Sequence, residues 1–387
     1  MNVQLAKHFL TYPPFLPPPV TRPSLPAGPI RIACPQDMTR QVRDQQSGGY
    51  PFLLSSPPYR IQSIFKSKTN IRMAPALDNQ GRIYVVTETS CQRRLRQEDG
   101  CFTLDHDFGI NPIHAPLIDH ENQRVYLLTR ETLFSYALDS LSEQWQLQGA
   151  FSAPPRRLAD GSLLCANGTT LCRVCPHSGK VNLRVELNQP IEFLFIDHLN
   201  ATLYAISKYH IQVFDTDFRL IYQQDVKTPI CASILTEGQR LVLICNKNTI
   251  RAYDAQLNLK WDVKAGFNLL PQLSYLPRCA KSKSKPKIVA SLQNKNLRLH
   301  IEESSGRFCT HHTPHVKSGT LYTRLGTFVI VHGTGLDDGT KKVPLMIPNR
   351  AAHYYVTPRD PHSLFVVAGR SLFYIYPTNS ANRPPSL

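Results

Sequence analysis

The chain has 387 residues, with 44 Lys and Arg against 28 Asp and Glu and a net charge of +16, which points to acidic partners such as nucleic acid, an anionic membrane or an acidic protein surface. Its 31 prolines and 42% apolar content suit many short strands separated by turns better than they suit helices. No apolar run approaches the roughly 20 residues of a spanning helix. The ten cysteines follow no disulfide framework and no signal peptide stands out, so a cytoplasmic or otherwise intracellular protein without a transmembrane segment is expected.

Residues 1–50 are rich in Pro, Gln, Arg and Gly and show neither strand nor helix periodicity, which predicts an extended or disordered arm. Tyr59 to Lys66 alternates as a strand that belongs to no module of its own. Apolar runs then centre on Ile83, Val125, Leu163, Leu203, Val242, Ile288, Phe328 and Leu364, recurring every 36 to 46 residues. A strand-only period near forty is that of a β-propeller blade, because one small sheet buries its two faces only by stacking on neighbours. The expected fold is all-β: a single β-propeller over residues 51–380, with eight four-stranded blades from about 73 to 376 and a tail over 381–387. Seven blades is the alternative, and residues 317–350 are the segment that decides between them. The last unit lacks a fourth strand of its own, so 59–66 is expected to supply it and close the ring, removing an exposed sheet edge.

Third strands are expected to end at Asp105, Asp139, Cys175, Asp215, Asp254, Glu302 and Tyr376. Around them, YALD followed by Trp145, AYDAQLNLKW over 252–261 and CPHSGK over 175–180 resemble the repeat of quinoprotein-like (PQQ-repeat-like) propellers. Tyr222 takes the place of the terminal tryptophan in the fourth unit. In dehydrogenases of that superfamily the resemblance would imply a calcium-supported quinone in the central funnel and, in part of them, a disulfide of adjacent cysteines. No two cysteines are adjacent here and no acidic cluster would seat calcium. No catalytic residue is therefore carried over, and no cofactor or metal is expected.

Two clusters have ligand-like spacing. Cys172 and Cys175 form C-x-x-C with His177 nearby, but residues three apart on a strand face opposite sides, which favours two structural thiols. Cys309, His311, His312 and His315 are the densest set, and a polar loop is favoured over a bound metal. The run Lys281–Lys287 is an insertion between the first and second strands of blade 6, and it has no interleaved aromatics for stacking nucleic acid.

The functional expectation is a non-enzymatic scaffold that binds a protein or acidic partner through loops on one face. The alternatives are a degenerate quinoprotein-like enzyme and a basic, nucleic-acid-associated propeller. The candidate binding residues are Arg93, Arg94 and Arg96 on a long loop over 87–100, His311, His312 and His315 on the connection from blade 6 to blade 7, and Asp337, Asp338, Lys341 and Lys342 on a loop over 332–342.

Overall fold

The computed structural model describes residues 59–73, 75–97, 101–236, 238–276, 285–292, 297–312, 319–322, 328–332, 335–337, 342–344, 351–356 and 364–377. The arm over 1–50 and the tail over 381–387 lie outside the described residues. The described strands form eight four-stranded antiparallel sheets, so the alternative of seven blades falls away. Residues 319–344 make a sheet of their own, with strands Gly319–Tyr322, Phe328–His332, Gly335–Asp337 and Lys342–Pro344.

Each apolar run singled out in the sequence is the second strand of its sheet. These strands read as unbroken Val, Ile, Leu and Tyr because a neighbouring sheet covers each face. Ile83–Val86 and Leu241–Cys245, for example, are buried at every position. First strands meet first strands across most of the described seams, placing them nearest the ring axis, as Leu117–Asp119 against Ala76–Leu77 and Leu269–Leu276 against Ile230–Leu235.

The last sheet takes its outer strand from the other end of the described chain. Tyr59–Lys66 pairs antiparallel with Ser371–Pro377, from Tyr59 opposite Pro377 to Lys66 opposite Ser371. Ile64 and Phe65 of this strand share one apolar cluster with Phe365, Val367 and Leu372 of blade 8 and with Leu77, Ile83, Val85 and Phe102 of blade 1. Blade 8 is thereby packed on blade 1.

Strand direction alternates within each sheet, so the ring has two unlike faces. One carries the first-to-second and third-to-fourth turns and is called the turn face below. The other carries the second-to-third turns and the blade-to-blade connections and is called the connector face.

On the turn face, first strands end in a buried acceptor that ties up the backbone of the turn. Asp78 Oδ1 accepts from the amides of Gln80 and Arg82 at 2.9 and 3.0 Å. Asp119 accepts from the amide and the side chain of Asn122 at 3.1 and 2.6 Å, and Asp197 from the Leu199 amide and the Asn200 side chain at 3.0 and 2.7 Å.

The third-to-fourth turns lock neighbouring blades together. Trp145, on the outer strand Glu143–Gln148 of blade 2, donates its indole N–H to the Pro176 carbonyl of blade 3 at 2.9 Å. Trp261, on the outer strand Leu259–Lys264 of blade 5, donates likewise to the Glu303 carbonyl of blade 6 at 2.8 Å. Each ring lies over a glycine of the receiving turn. A Cβ on Gly179 would stand 2.7 Å from Trp145, and one on Gly306 would stand 2.8 Å from Trp261. Elsewhere the glycine's position in the turn is taken by a buried Leu141, Phe218 or Leu257, each at positive φ, and no tryptophan precedes it. Ring volume on one side of the seam is thus exchanged for side-chain volume on the other.

Candidate functional site

The structure corrects the placement of the first candidate group. Residues 87–100 are not a long loop: Thr87 to Ser90 is a tight turn, and Cys91–Arg96 is the third strand of blade 1. The segment read as a third strand ending at Asp105 is instead the fourth, Phe102–Asp107. Arg93, Arg94 and Arg96 therefore sit within a sheet.

Arg93 is only 7% exposed. Its Nε donates to Asp105 at 2.5 Å, and its Nη1 donates to the carbonyls of Leu138 and Asp139 in blade 2 at 2.8 and 3.1 Å. Leu138 holds the same place in its turn as Pro176 and Glu303 hold in theirs, so Arg93 does at the first seam what Trp145 and Trp261 do at later ones. Arg94 lies with its guanidinium 3.5 Å from the centre of the Phe65 ring on the closing strand. Burial pulls its pKa down to about 10. Both arginines hold blades together, and Arg96 is half-buried at the end of the strand.

The second group also moves. His311 and His312 end the outer strand Phe308–His312 of blade 6 and do not belong to the connection after it. The register sets His311 opposite Arg298 and Cys309 opposite the buried His300. His315 lies outside the described residues. The segment 332–342 is not one loop either: it contains the third strand of blade 7, with Asp337, and the start of the fourth, with Lys342. Asp338 and Lys341 lie outside the described residues.

Cys172 and Cys175 diverge as their spacing implies. Cys172 packs in the core between blades 2 and 3. Cys175 opens on a turn-face recess of about 550 Å³, lined also by Asn122, Asp160, Ser162, Arg173 and His177. Hydrogen bonds from the Ser178 hydroxyl and from the amides of Ser178 and His177 lower its thiol pKa. Arg173 is already consumed there by Asp160 and by the Ser162 hydroxyl at 3.0 Å. Among the described residues no group of three or more His, Cys, Asp and Glu side chains could hold a metal ion. The insertion in blade 6 runs between the first strand, ending at Leu276, and the second, starting at Lys287; residues 277–284 lie outside the described residues.

Most of the ion pairs among the described residues stand on the turn face, although Lys180, Arg219 and Arg307 there are exposed and enter none of them. On the turn face Arg82 pairs with Asp78 and Asp139, Arg157 with Asp119 and Glu121, Arg173 with Asp160, Lys260 with Asp254 and Lys285 with Glu302. Nearer the connector face stand Arg251 with Asp262 and His210 with Asp225. Lys68, Arg130, Lys208, Lys247 and Lys264 are exposed on the connector face and enter none of the ion pairs among the described residues.

Arg130, Lys208 and Lys247 occupy the tips of the second-to-third turns of blades 2, 4 and 5, and Lys264 ends the outer strand of blade 5. Sequence reasoning passed over Arg130, Lys208 and Lys247 because each is a single cation in a tight turn. The available signal is their common position just after the second strand, as in TRET, SKYH and NKN.

No family model matches the chain, and no curated protein matches it in sequence. Among solved structures it is similar to BamB from Moraxella catarrhalis, with a TM-score of 0.58 and 9% identity over 83% of this chain and 98% of that one. It is also similar to BBS1N in its crystal structure in complex with ARL6DN, with a TM-score of 0.52 and 8% identity over 83% of this chain and 99% of that one. No helix long and apolar enough to cross a membrane occurs among the described residues. At these identities the likeness establishes the fold alone: an all-β propeller.

Proposed function

We propose that the chain is a non-enzymatic docking propeller that binds an acidic protein surface through its connector face. The observation that carries this reading is the set of idle cations there: Lys68, Arg130, Lys208, Lys247 and Lys264 are exposed and enter no ion pair among the described residues, on a face held in place by a rigid ring. Cations already neutralised by carboxylates of the same chain offer an acidic partner little, whereas idle ones can steer and hold it. BamB and BBS1N share the fold, and BBS1N was crystallised in complex with ARL6DN; a protein-binding role is compatible with that company. The histidines at the end of blade 6 and the blade 7 residues Asp337 and Lys342 are proposed to extend the surface round the ring.

The test is capture of partners from the native host by the full chain and by a variant carrying Lys208→Glu, Lys247→Glu and Lys264→Glu. The reading expects a partner retained by the unmodified chain, released as ionic strength rises from about 0.05 to about 0.3 M, and lost by the variant. Equal retention by both proteins at low salt would contradict it.

A further inference from the structure

The outer strand of blade 4, Leu220–Asp225, is exposed at all six positions and lies at the free edge of its sheet. It offers three consecutive large apolar side chains, Leu220, Ile221 and Tyr222, at 48, 42 and 38% exposure. Tyr222 stands at the register position of Trp145 and Trp261, opposite Val213 as they stand opposite Ser135 and Ala252. It does not enter the seam, because Leu257 already fills the receiving turn. The neighbouring outer strand of blade 5 interrupts its apolar residues with Lys260, Asp262 and Lys264, the kind of charge that keeps a sheet edge from pairing. Blade 4 has no charge between Arg219 and Asp225.

The charges flanking this strand are arranged as a palindrome. Reading outward from Tyr222, Arg219 and Asp225 are each three residues away, and Asp217 and Lys227 are each five away. All four are exposed, and Asp225 keeps its carboxylate 84% exposed although it contacts His210. Laid antiparallel on a copy of itself with Tyr222 at the two-fold axis, the segment sets Arg219 against Asp225 and Ile221 against Gln223, while Asp217 in the turn before the strand and Lys227 in the bend after it flank the contact. Symmetry repeats every pair, as an isologous contact requires. Moving the axis one residue either way takes Arg219 off Asp225 and sets Asp225 against Ile221 or Arg219 against Gln223, so the neighbouring registers lose the pairs.

We infer that the chain self-associates as a two-fold dimer through the outer strand of blade 4, with Tyr222 at the axis and the symmetry-related Arg219–Asp225 pairs fixing the register. The strand shifts register between its pairings at Leu220 and Tyr222, a bulge at Ile221, which breaks a continuous backbone ladder across the axis. Side chains therefore carry the contact. Blade 4 lies across the eight-membered ring from blade 8, and antiparallel strands turn the two connector faces in opposite directions. The dimer would present two docking faces pointing apart, which goes beyond the docking proposal and does not depend on it.

Sedimentation equilibrium of the full chain tests this. The unmodified protein is expected to be a dimer, and Arg219→Asp and Asp225→Arg are each expected to raise the dimer dissociation constant about tenfold or more. The double swap Arg219→Asp with Asp225→Arg restores opposite charges at both pairs and is expected to restore the dimer. Tyr222→Lys, at an exposed position, should give a monomer that melts like the parent. A monomeric parent at about 100 µM, well above the range of specific complexes, would overturn the inference. So would single swaps that leave assembly unchanged, or a double swap that fails to restore it.

Discussion

The turn face and the connector face are built from the same eight hairpin units, yet they spend their polar groups differently. On the turn face many polar groups have internal partners: Asp78, Asp119 and Asp197 hold their own turns, Trp145, Trp261 and Arg93 reach carbonyls of the next blade, and Arg82, Arg157 and Arg173 meet carboxylates. On the connector face Lys208 and Lys247 project from second-to-third turns and enter no ion pair among the described residues. Groups with internal partners set stability, and groups without them are left to meet something outside. A change of similar chemical size should therefore read out as lost stability on one face and lost binding on the other.

The largest stability effect is expected where a seam is emptied. Trp261→Ala removes a buried ring and orphans the Glu303 carbonyl, at a cost of about 3–5 kcal/mol. Gly306→Ala should approach it from the other side, since the new methyl would collide with Trp261 at a backbone φ of 71°. Urea denaturation reads both. A midpoint unchanged by either variant would mean that the seam is not held by this dock.

Arg93→Ala comes next, at about 2–3 kcal/mol, because it strips a charged donor from two carbonyls of blade 2 and from Asp105. Were Arg93 a free loop cation, the same variant would leave the melting curve in place. Asp197→Ala, which unties the first turn of blade 4, should cost about 1–2 kcal/mol, as loss of a cap does. Smallest of all is the joint Lys208→Glu, Lys247→Glu and Lys264→Glu change, expected to stay within about 0.5 kcal/mol by thermal melting. A large loss there would erase the distinction between the faces.

The ring was legible in the sequence because second strands covered on both sides read as unbroken apolar runs, as in Ile83–Val86 and Leu241–Cys245. The closing strand was legible through its alternation and through the lack of a fourth strand in the last unit. Blade 1 was misread because its third strand, CQRRLR, is polar. Its arginines find partners in Phe65, Asp105 and the Leu138 carbonyl, none of which is near in sequence except Asp105, and without those partners the segment looks like a solvated loop. The tryptophans were visible as repeat markers, but their glycine targets acquire meaning only when blade 2 is set beside blade 3 and blade 5 beside blade 6. The idle cations of the connector face were hidden for the same reason: Arg130, Lys208 and Lys247 become a set only once their turns are placed on one side of one ring.

Site-specific photocrosslinking in the native host tests the central claim most directly. A crosslinking side chain is placed at Lys247 on the connector face and, in a second protein, at Lys260 on the turn face, where the native lysine contacts Asp254 at 2.7 Å. The account predicts a discrete crosslinked partner from position 247 and none from position 260. A partner crosslinked from 260 and not from 247 would contradict it.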